Sequence, residues 1–111
     1  MDQPIIYHKD LESSGKWKEF TFAEQMANIG SEVSRAIKWT EKGKPDMSQK
    51  AFERGLELLD LTRRQAHGPR LRELGRAREV LCDYFAGNND YASTPHDIQK
   101  YFDDFAYACR R

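Results

Sequence analysis

Residues 69–85 read PRLRELGRAREVLCDYF. Leu71, Leu74, Leu81 and Phe85 recur at the intervals that bring side chains onto one face of an α-helix. Pro69 suits the first turn, where its missing N–H is not needed, and Gly87-Asn88-Asn89-Asp90 ends the helix in a loop. Arg78 falls inside the apolar stripe. A guanidinium there is costly unless a carboxylate meets it or a cleft receives it.

Upstream, His67-Gly68 closes a second periodic segment, about residues 47–66. Its broad face holds Ala51, Phe52, Gly55, Leu56, Leu58, Leu59 and Thr62, with Asp60 on the flank. Lys44-Pro45-Asp46 reads as the preceding turn, with Asp46 as N-cap. Earlier still, Phe22, Met26, Ile29, Val33, Ala36 and Ile37 mark a bundle helix over about residues 22–42, with Glu32 on its shoulder. Thr21 and Glu24 have capping-box spacing, and Gly43 suits the position after the last turn. Downstream, Thr94-Pro95-His96-Asp97 starts a last helix carrying Ile98, Tyr101, Phe102, Phe105 and Cys109. No segment alternates with period two. The prediction is an all-α, up-and-down four-helix bundle over residues 20–111, preceded by an irregular N-terminal arm, residues 1–19. In the arm, Ile5, Ile6 and Tyr7 are expected to rest on the surface. Gly30, Gly55 and Gly75 sit inside helices and are expected to mark close helix contacts.

With 111 residues the chain can bury one core without metal or disulfide support. Eighteen basic residues balance eighteen acidic ones, so net charge selects no partner. Charge is nevertheless segregated along the chain. Residues 63–78 carry six arginines against Glu73, and residues 83–104 carry five aspartates against Lys100. Arg72, Arg76, Glu79 and Asp83 share an outward phase that suits an ion-pair ladder. No apolar run approaches a membrane span, and the first residues lack a secretory pattern. Cys82 and Cys109 read as reduced thiols, so a cytoplasmic protein is expected.

Few chemistries have their residues here. No Glu-x-x-His pair supports a carboxylate-bridged metal site, and His8, His67 and His96 fall in the arm, a turn and a first helical turn. Neither a nucleophile elbow nor a glycine-rich phosphate loop occurs, so no metal or cofactor is expected. Arg70, Arg72 and Arg76 are candidate phosphate contacts, with a solvated face as the ordinary alternative. For Arg78, Glu32 and Asp60 are the candidate acceptors of a buried pair.

The stretch Arg78-Glu79-Val80-Leu81-Cys82-Asp83-Tyr84-Phe85 resembles the signature of HEPN domains. These are small helical bundles often encoded beside minimal nucleotidyltransferases in bacterial toxin–antitoxin pairs. In that family an Arg, a polar residue, a few apolar residues and a His build an RNA-cleaving site, often with a Tyr beyond. The resemblance puts Arg78 and Glu79 at the first two positions. Asp83 stands where the His belongs, and Tyr84 follows it directly. An Asp with an ordinary pKa near 4 is ionised at neutral pH and serves poorly as an acid. Residues 24–39 and 51–62 also resemble blocks of a small bacterial all-helical family of unassigned activity. The resemblance implies a non-catalytic bacterial interaction module, HEPN-like and self-associating or bound to a protein partner. A HEPN-type ribonuclease or toxin–antitoxin component using Arg78, Asp83 and Tyr84 is one alternative. RNA or nucleotide binding through the arginine-rich third helix is the other.

Overall fold

The structure, a computed structural model, describes residues 6–110, and Ile5 of the arm lies outside them. Its long elements are α2 (Phe22–Glu41), α3 (Pro45–Arg63), α4 (Gly68–Ala86) and α5 (Pro95–Cys109). Before them come the short α1 (Lys9–Ser14) and a single 3-10 turn (Lys16–Glu19). Among the described residues there is no strand. Short loops join the long helices into the expected all-α, up-and-down bundle.

Local chemistry sets the boundaries. Thr21 Oγ1 accepts the Glu24 N–H while the Glu24 carboxylate accepts the Thr21 N–H, closing the capping box. At the other end of α2, Gly43 takes φ 72°, and the N–H groups of Gly43 and Lys44 donate to the carbonyls of Thr40 and Trp39. That left-handed step costs glycine little and reverses the chain within three residues. The start of α3 differs from the sequence reading. Lys44 occupies the N-cap and Pro45 the first helical position, so Asp46 is inside the helix. Proline's fixed φ already matches the helix, and it has no N–H to cap. Thr94 caps α5 as expected, accepting the Asp97 N–H.

The core centres on α2 and α3. Met26, Ile29, Val33, Ala36 and Ile37 of α2 are buried, as are all residues of α3 from Gly55 to Thr62. A helix buried round its circumference must be covered from several sides. Here α2 covers one side, α4 a second, and the arm a third. The arm is held by specific contacts. Trp17 is 3% exposed, its indole N–H donates to Thr62 Oγ1 at 2.9 Å, and its carbonyl accepts from Gln25.

Two of the three helical glycines mark close approaches. A Cβ on Gly30 would lie 2.6 Å from Phe102 Cβ, and one on Gly55 would lie 3.3 Å from Glu32 Cβ. Gly75 faces open space, contrary to expectation. Leu71 is also exposed, whereas Val80 is half-buried against the core.

Candidate functional site

Three buried carboxylates line α2 and α3, and each has a separate task. Asp60, 1% exposed, receives Arg78 from α4 in a two-pronged contact: Nε to Oδ1 at 2.8 Å and Nη2 to Oδ2 at 3.4 Å. Arg63 Nη1 also donates to Oδ1, at 3.1 Å. The anomaly in the α4 stripe is therefore a buried ion pair that fastens α4 to α3. Of the two candidate acceptors, Asp60 is the partner. Glu32 instead pairs with Arg35 and Arg54, from α2 and α3.

The third carboxylate, Glu57, was not legible as a site residue. It accepts the backbone N–H groups of Ile6, Tyr7 and His8 at 2.8–3.1 Å and meets His8 Nδ1 at 3.0 Å. Beside it, the Tyr7 hydroxyl donates to Glu53. The available signal was the uninterrupted burial implied by Gly55-Leu-Glu-Leu-Leu-Asp-Leu-Thr62, which leaves no solvated phase for Glu57.

Asp83 and Tyr84 are not brought to Arg78. Both Asp83 carboxylate oxygens accept N–H groups of the following loop, from Asp90 at 2.8 Å and Tyr91 at 3.1 Å. The side chain braces the turn into α5, where Asn89 and Ala92 take positive φ. Tyr84 packs edge-on against Phe85 and lines a cleft of about 450 Å³ with Phe52 and Gln49. Arg78 Nη1 lies 3.9 Å from Cys82 Sγ. Burial raises the Cys82 thiol pKa despite that positive charge, which keeps it protonated. Cys82 and Cys109 are both free thiols.

The arginines that cluster in sequence disperse in space. Arg63 and Arg78 converge on Asp60, Arg64 pairs with Glu12 of α1, and Arg70 lies over the Phe22 ring at 4.0 Å. Arg72 and Arg76 remain exposed on α4. The expected ladder with Glu79 and Asp83 does not form, since Asp83 serves the loop and Glu79 meets the Tyr91 hydroxyl.

Between α4 and α5 the bundle stays open. Each packs on a different partner, α4 on α3 and α5 on α2, and the two barely meet. A groove of about 140 Å³ separates them, with Ala77, Ile98, Tyr101 and Phe102 as its apolar surface. The Tyr101 hydroxyl bridges it to Glu73 at 3.1 Å. Burial first, then the Glu73 carboxylate, raises the Tyr101 phenol far above its usual range. Exposed Arg76 lines the groove beside Glu73, with exposed Arg72 one turn before it on α4, and exposed Asp97 and Asp104 lie one turn to either side of Tyr101 on α5. Among the described residues, no ion pair joins the two rims; Asp104 pairs with Lys100 of its own helix. No described helix is long and apolar enough to cross a membrane.

No family model, curated protein or solved structure matches this chain.

Proposed function

We propose that this chain is a non-catalytic bacterial interaction module, a HEPN-like bundle whose partner is a second copy bound through the α4–α5 face. The open apolar groove between oppositely charged rims carries the reading. A two-fold axis at that face sets the basic α4 of each copy against the acidic α5 of the other. The same patch thus serves both partners, and unlike charges meet twice. Pairing also covers half-buried Tyr101 on the groove wall, beneath which Ile98 and Phe102 are already buried.

The resemblance-derived cleaving residues support a non-catalytic role. Arg78 Nε and Nη2 are committed to Asp60, and both Asp83 oxygens are committed to backbone N–H groups. Sedimentation equilibrium tests the pairing. A dimer is expected that weakens with added salt and is lost in Arg72→Glu/Arg76→Glu at unchanged helicity. A wild-type monomer at every accessible concentration overturns the reading. So does cleavage of a mixed RNA pool that disappears in a still-folded Arg78→Ala variant.

A further inference from the structure

Where the arm crosses the C-terminal end of α3, it leaves a cleft of about 580 Å³, a volume typical of small-molecule sites. Leu11 of α1, Trp17 and Leu61 of α3 supply its apolar lining. The Trp17 indole is buried and tethered to Thr62, so this floor is fixed before anything binds. The charged lining is unbalanced. Lys18 and Arg64 are cationic, His67 becomes so on protonation, and Glu12 is the one carboxylate among the described lining residues. Glu12 already lies on the Arg64 guanidinium, joining α1 to the end of α3.

We infer that the cleft binds a small aromatic carboxylate, its ring against Leu11 and the edge of Trp17 that reaches the cleft, and its carboxylate replacing Glu12 on Arg64. Three observations point to that chemistry. Arg64 holds a carboxylate in the structure, so its guanidinium is within reach of an anion in the cleft. The side chains of Arg64 and Glu12 are 41% and 43% exposed, and an ion pair in that setting contributes little. Glu12 can therefore swing into water and be replaced. Partly buried Leu11 beside the pair gives an aromatic body an apolar contact, and Lys18 adds a second positive charge at the rim. The site is separate from the α4–α5 face, so either proposal can fail without the other.

A ¹H–¹⁵N correlation titration of the whole chain with 2-naphthoate tests the inference, with neutral 2-naphthalenemethanol as the control. Naphthoate is expected to give saturable shifts centred on Leu11, Gly15 and the Trp17 indole N–H. The alcohol should bind at least about tenfold more weakly, as loss of a charge-assisted contact implies. Arg64→Ala should weaken naphthoate by a similar factor, whereas Glu12→Gln should tighten it, because the variant removes a carboxylate that competes for Arg64. If Arg64→Ala releases the arm, seen as loss of the Ile6–His8 amide shifts, the Glu12→Gln result still decides. The inference is overturned if naphthoate does not saturate at millimolar concentration, if the alcohol binds equally well, or if Glu12→Gln fails to tighten binding.

Discussion

The core around α3 is closed by α2, α4 and the arm, and the seam between α4 and α5 is open. In the first, α3 is buried from Gly55 through Thr62, and three buried carboxylates each meet cations or backbone donors. In the second, α4 fully buries only Leu74 and Leu81, and α5 only Ile98 and Phe102. Its exposed arginines and aspartates face apart across an apolar groove. The buried carboxylates around α3 are held by cations and backbone donors, whereas the charges beside the α4–α5 groove are exposed.

Paired substitutions probe that contrast. Leu59→Ala, at a site with no exposure, should cost about 3–4 kcal/mol in chemical denaturation. Leu71→Ala, at 38% exposure, should cost less than about 1 kcal/mol, since little apolar area returns to water. Equal losses would mean that the exposed turn of α4 is packed after all. Asp60→Asn should cost about 3 kcal/mol, because it leaves Arg63 and Arg78 facing a neutral group in a largely dry site. A loss below about 1 kcal/mol would reduce the pair to a surface contact.

Glycines report the same division on a smaller scale. Gly30→Ala drives a methyl into Phe102 and should destabilise by about 2 kcal/mol. Gly75→Ala meets nothing and should stabilise by about 0.5–1 kcal/mol through helix propensity. Alkaline pH should act on the open seam. The unfolded Tyr101 phenol loses its proton near pH 10, whereas burial and Glu73 hold the folded one protonated well above that. The unfolded state then binds fewer protons, so this contribution is intact below about pH 10 and is lost as pH rises further. Denaturation midpoints should therefore fall faster above pH 10 in the wild type than in Tyr101→Phe. Parallel profiles would mean that the phenol is as solvated as a free tyrosine.

The helices and their order were legible because apolar periodicity and capping chemistry act locally. Thr21–Glu24, Gly43 and Thr94–Asp97 each mark a real terminus. Arg78 was legible as a group needing a partner, but helical phase alone left Asp60 and Glu32 equivalent; the relative placement of α2, α3 and α4 separates them. Glu57 was missed because its partners, three backbone N–H groups and the His8 ring, lie some fifty residues away in an arm without helical periodicity. Asp83 was misleading for a related reason. Its spacing from Arg78 suggested a shared site, yet a carboxylate near a helix end is readily captured by the N–H groups of the loop that follows.

Complementary charge reversal tests the pairing of α4 with α5 most directly. Arg72→Glu/Arg76→Glu makes both rims acidic, and Asp97→Lys/Asp104→Lys makes both basic. Sedimentation equilibrium should find each variant monomeric alone and a heterodimer when they are mixed in equal amounts. If the mixture stays monomeric while the wild type dimerises, or if each variant dimerises by itself, the α4–α5 face is not where two copies meet.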